Sequence, residues 1–163
     1  MSISKKMNTQ LNQQITHEFD AAQSYLAMSC GFDQMGLKSL AGHFQKQADE
    51  ERTHALKILG YIQEVGGTVT LDALSKPRAS YPSVEAAVKT ASSQEKKVTG
   101  QINALVALAE QEKDYATRSF LNWFVDEQVE EEASMSALLQ LVEMAGKNVL
   151  QLESHLARMG HSG

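Results

Sequence analysis

Glu51 and His54 stand three residues apart in the run Glu50-Glu51-Arg52-Thr53-His54. On a helix that spacing puts a carboxylate and an imidazole on one face. Glu18, Glu95 and Glu131 each fall where the surrounding apolar rhythm calls for a core residue. Glu18 continues Leu11 and Ile15 toward Tyr25 and Phe32, and Glu51 and His54 lie between Phe44 and Ile58. Glu95 lies between Ala91 and Val98, and Glu131 between Phe124 and Leu138. A helix tolerates a buried carboxylate only where a cation or hydrogen bonds compensate it. No matching set of core lysines or arginines accompanies these residues, so the pattern implies bound metal. Carboxylate oxygen and imidazole nitrogen without thiolate suit iron(II), manganese or zinc. A bridging carboxylate lets such a set hold two cations about 3.5–4 Å apart. Gln128, three residues before Glu131, adds a second donor on the same helix.

The elements that must position these groups are long amphipathic helices, about residues 4–32, 38–65, 84–112 and 116–145, with a shorter one at 147–158. Each long helix is about 40 Å at 1.5 Å per residue. Gly66 and Gly67 stop the second, Ser83 is placed to cap the third, the chain breaks near Asp114, and Gly146 ends the fourth. Between the second and third helices runs TVTLDALSKPRASYP, with both prolines and no helical period. Short, long and short connections predict an all-α, ferritin-like four-helix bundle with one crossover between helices two and three, plus a short fifth helix.

At 163 residues the chain is expected to form one domain spanning 1–163. A net charge of −5 argues against a nucleic-acid surface. The single cysteine, Cys30, excludes a disulfide framework and is expected to pack against a neighbouring helix. No apolar run has transmembrane length, and MSISKKMNTQ lacks a signal peptide's apolar core, so a soluble cytoplasmic protein is expected. Met28, Met135 and Met144 read as core filler, and His17, His43 and His155 as solvated. His161 falls in a Gly-Ser tail expected to be disordered.

The residues resemble ferritin over nearly the whole chain. The likeness rests on Glu18 with Tyr25 seven residues on, the Glu50-Glu51-x-x-His54 run, Glu95, and Asn122-Trp123 leading into Glu127-Gln128. It implies oxidation of Fe(II) by O2 or hydrogen peroxide at an intrasubunit di-iron centre, and storage of the ferric product as mineral inside a closed homo-oligomeric shell of about 24 subunits. By this resemblance Glu18, Glu51 and His54 hold the first iron, Glu51 bridges, and Glu95 and Glu131 hold the second. Gln128 lies close by and Tyr25 stands beside the centre. Bacterioferritin carries a haem-ligating methionine where this chain has Arg52, and a second E-x-x-H where it has Gln128 and Glu131. The chain therefore resembles the haem-free ferritins, and no haem is expected.

Glu50, Glu127 and Glu130 match ligands of a third iron site in the bacterial type. They lie off the apolar stripe, and an outward acidic edge is the alternative reading of them. At the positions where animal ferritins line a threefold channel with acids, this chain has Arg118 and Leu121, with Glu110, Glu112 and Asp114 nearby. A non-storing di-iron peroxidase of the rubrerythrin kind is the alternative. The missing cysteines and the single E-x-x-H count against it. A metal-free helical scaffold leaves the core glutamates unexplained.

Overall fold

A computed structural model describes residues 2–160, so His161 lies outside the described residues. Four long helices, α1 (Lys5–Gln34), α2 (Lys38–Glu64), α3 (Val84–Glu112) and α4 (Tyr115–Ala145), form the bundle, followed by the short α5 (Val149–Gly160). Side chains start three of them: Ser4, Ser83 and Asp114 accept from the backbone N–H groups of Met7, Ala86 and Thr117. Gly36, Gly66 and Gly146 take positive φ at helix ends, as does Lys113 before α4.

The buried apolar residues fall into two blocks. One contains Tyr25, Phe32, Leu40, Phe44, Val88, Ala91, Met135 and Leu138. The other contains Leu11, Ile15, Ile58, Ile62, Val98, Ile102, Leu121 and Phe124. The first takes the C-terminal halves of α1 and α4 and the N-terminal halves of α2 and α3, and the second takes the opposite halves. This partition makes α1 antiparallel to α2 and α3 antiparallel to α4, while α2 and α3 run parallel. Only a long crossover permits that last relation.

The crossover, residues 65–83, runs along α1 as an extended strap. Asn8 and Asn12 donate to the Thr68 carbonyl at 3.1 and 2.8 Å and accept from Thr68 N–H and Thr70 N–H at 2.9 and 2.6 Å. Asp20 accepts from Ser75 N–H at 2.8 Å. Short polar side chains of α1 thus replace the sheet partner that an isolated extended segment lacks. Gly67 sits where a Cβ would lie 2.5 Å from Asn8 Oδ1 and 2.8 Å from Ile62 Cγ2. Gly67→Ala must displace the asparagine from its bonds to Thr68, and the overpacking should cost about 1–3 kcal/mol. Thermal unfolding of the iron-free protein checks this, and an unchanged midpoint would contradict it.

α5 packs Leu152, Val149 and Leu156 against the first apolar block. Its Glu153 carboxylate accepts from Ser39 and Leu40 N–H, both at 2.8 Å. It thereby satisfies the start of α2, where Leu37 supplies no side-chain cap.

Two packing expectations fail. Cys30 is exposed, because it sits between the inward positions Ser29 and Phe32 and points away from the bundle. Met28 and Met135 are buried, but Met144 is 81% exposed, beyond the last inward residue of α4, Val142.

Candidate metal centre

Between the two apolar blocks every long helix carries a polar interruption: Glu18 on α1, Glu51 and His54 on α2, Glu95 on α3, and Gln128 and Glu131 on α4. All six are buried, with Glu18, Glu51 and Glu95 at 0% exposure. Helical spacing keeps them on the core face, and the antiparallel pairing brings them to one level. Among the described residues, three sets have ligand atoms mutually within 4.8 Å: Glu18, Glu51 and His54; Glu51, Glu95 and Glu131; and His54, Glu127 and Glu131. Glu51 belongs to the first two. It has the geometry of a bridge between two cation positions.

His54 Nδ1 faces Glu51 Oε2 at 3.3 Å and Glu18 Oε2 at 3.8 Å, while Nε2 faces Glu127 Oε1 at 3.7 Å. Tyr25 donates to Glu95 Oε1 at 2.5 Å. Gln128 donates to the other Glu95 oxygen at 3.3 Å and to Thr99 Oγ1 at 3.2 Å. Trp123 meets the His54 ring edge-on at a centroid distance of 5.4 Å, and Lys57 lies over the indole at 3.7 Å. These rings wall the imidazole from solvent.

The electrostatics are those of a site short of positive charge. Burial, together with Glu18, pushes the Glu51 carboxyl well above its ordinary value. Burial and Glu95 raise Glu131 to about 8, and burial raises Glu95. Burial alone would raise Glu18, yet the nearby His54 imidazole, with the Gln14 amide, holds it below the usual range. Burial would lower His54, and Glu18 outweighs it to give a raised value. One oxygen of each of Glu18, Glu51 and Glu131 is buried without a hydrogen-bond partner. Buried acceptors of this kind are costly unless a cation completes them. Bound cations would meet that demand, and donors without a thiol suit a hard metal.

Glu50, Glu127 and Glu130 line one cleft with His43, Gln47 and Glu131, of about 230 Å³, opening beside the centre. Glu127 and Glu50 are partly buried, whereas Glu130 is exposed. The acidic edge is therefore also the lining of this cleft. At the α3–α4 corner, Glu110 is paired with Arg118 at 2.9 Å, Glu112 accepts from Ser4, and Asp114 caps α4. Arg118 also donates to Asn122.

Sequence reasoning missed Gln14, buried one turn before Glu18, to which it donates at 3.1 Å. The signal was its spacing of four from Glu18, on a helix that carries several other glutamines. His17 and His43 are not solvated as expected. Both rings are partly buried, each with one inward nitrogen lacking a hydrogen-bond partner.

Residues 8–145 match the family model described as a ferritin-like domain. A Staphylococcus aureus protein named bacterial non-heme ferritin is 41% identical over 144 residues, covering 88% of this chain and 87% of its own. Ferritin BfrB of Mycobacterium tuberculosis is 36% identical over 94% of this chain and 84% of its own. Among solved structures, an open pore ferritin from the archaeon Archaeoglobus fulgidus superposes with a TM-score of 0.92 at 40% identity, covering 94% of this chain and 96% of that one. A humanized archaeal ferritin gives 0.93, also at 40% identity, over 95% and 96%. By family and by fold, this chain belongs to the ferritins and is similar to their bacterial non-haem members.

Proposed function

We propose that the chain, as one domain, oxidises Fe(II) at the Glu18, Glu51, His54, Glu95 and Glu131 centre and stores the ferric product as mineral inside a homo-oligomeric shell. One observation carries this reading: two ligand sets share Glu51 and leave three buried carboxylate oxygens without partners. Fe(II) is substrate and cargo. One ion is received by Glu18, Glu51 and His54 Nδ1, the second by Glu51, Glu95 and Glu131. His54 Nε2–H then faces Glu127, which fixes the tautomer and orients the ring. Each Fe(II) loses one electron, and the pair passes two to O2 or hydrogen peroxide. Protons displaced from Glu51 and Glu131 on metal entry leave both carboxylates charged for the harder Fe(III) product. Gln128 and Tyr25 both bond Glu95 and keep its carboxylate aimed at the second position.

Glu50, Glu127 and Glu130 form a third iron position on the way out, since their cleft shares Glu131 with the centre. The family resemblance supports a shell of about 24 subunits with closed symmetry and a place in the cytoplasm. Among the described residues, no helix is long and apolar enough to cross a membrane.

Anaerobic loading with Fe(II) followed by air tests the reading. The purified protein should retain far more than two irons per chain as ferric mineral in a large particle. Uptake that stops at two irons would favour the non-storing peroxidase instead. The same preparation should show no Soret band after expression with ample haem. Arg52 is exposed and charged where the haem-binding pattern needs a thioether. A stoichiometric haem band would contradict this.

A further inference from the structure

We propose that the groove between α1, α3 and the crossover strap binds the phosphate group of a small molecule. The groove has a volume of about 280 Å³ and is apart from the metal centre. Lys76 and Arg78 on the strap, Lys97 on α3 and His17 on α1 line it, with Asp20 its one carboxylate among the described residues. In a chain of net charge −5 this is a local excess of cations. Asp20 offsets one of the three full cationic charges, and one of its oxygens is already engaged with Ser75 N–H. Such a concave, predominantly cationic lining focuses potential and concentrates anions.

The walls are held before any ligand arrives. Asp20 pins the strap at Ser75, Pro77 stiffens the next step, and Arg78 lies over the Tyr81 ring at 4.6 Å. Stacking on Tyr81 restricts the guanidinium, whose fork suits two phosphate oxygens, while Lys76 and Lys97 act as point charges. His17 adds a buried Nδ1 that has no hydrogen-bond partner. Arg78 and Tyr81 also form the wall of a second pocket of about 220 Å³, lined by Met28, Phe32 and Met35. An anionic group in the first pocket can therefore carry an apolar or planar remainder into the second. A phosphate ester such as a mononucleotide has that shape, and free phosphate has the anionic half alone.

Gln101 joins this groove to the metal centre, since Gln14 donates both to Gln101 at 3.4 Å and to Glu18 at 3.1 Å. One pair of amides separates the proposed ligand from an iron-binding carboxylate.

Isothermal titration of the assembled, iron-free protein with inorganic phosphate and separately with AMP tests the proposal without reference to iron oxidation. Saturable binding is expected for phosphate. Tighter binding of AMP would identify a phosphate ester as the source, and equal binding the free anion. The double variant R78Q/K97Q, at two exposed positions, should weaken binding at least about tenfold. K5Q/K6Q, which removes equal charge from the start of α1, should leave it unchanged. Equal affinity in R78Q/K97Q and the parent would overturn the proposal. So would displacement by an equal concentration of chloride, or absence of saturation up to about 10 mM.

Discussion

Replacing Glu51 by alanine abolishes rapid Fe(II) oxidation, lowering the initial rate at least about a hundredfold. Outer partners of a metal ligand already cost ten- to a hundredfold when removed, and Glu51 serves two cation positions at once. Its loss leaves Glu18 and His54 on one side and Glu95 and Glu131 on the other, with nothing shared to hold two ions close enough to deliver two electrons together. Glu130→Ala, at an exposed residue of the outer cleft, should slow turnover far less. Stopped-flow oxidation of the two variants beside the parent decides it. Equal rates in Glu51→Ala and the parent would sink the bridging assignment.

The iron-free protein should lose stability as pH rises from about 4.5 to 8, against the usual trend for a protein rich in carboxylates. Glu131 titrates near 4.5 when unfolded and at about 8 in the fold. A raised carboxyl favours the folded state below its unfolded value, and that advantage is lost as pH rises through the folded one. Glu51 and Glu95 are raised and act in the same direction, as does His54. Glu18 is lowered, so its contribution is lost only below the usual carboxylate range, outside this window. His17 and His43, lowered by burial, act the other way below their ordinary value of 6.5, equally in the parent and in Glu131→Gln. The total for Glu131 is on the order of a few kcal/mol. Melting the iron-free parent and Glu131→Gln across this range should show a falling parent curve and a flatter variant. Cations reverse the effect, because they replace the protons, so redox-inert Zn²⁺ should stabilise the parent most at the alkaline end. A parent curve flat from acid to alkaline pH would show that the carboxylates do not share a crowded, desolvated layer.

The bundle was legible because four heptad stripes carry enough buried apolar residues to fix each helix's inner face, and the two glycines after α2 left only a long crossover to α3. The same stripes exposed the glutamates, since a charge set into an apolar rhythm is costly unless a cation or a hydrogen bond meets it. What stayed hidden was chemistry that looks the same on paper whether solvated or paired. Nothing in the type or spacing of Asn8, Asn12 and Asp20 marks them, yet they hold the strap. Glu153 carries no mark of its role in the sequence either, yet it caps α2 from 113 residues away. Cys30 and Met144 were expected inside on residue type alone, although the stripe positions beside them already pointed elsewhere. Periodicity outranked composition in both cases.

Anomalous diffraction from crystals soaked anaerobically in Fe(II) tests the central claim most directly. Two iron peaks about 3.5–4 Å apart are expected inside each subunit, one against Glu18 and His54, the other against Glu95 and Glu131, with Glu51 between them. A single peak, or peaks confined to the outer cleft of Glu50, Glu127 and Glu130, would contradict it.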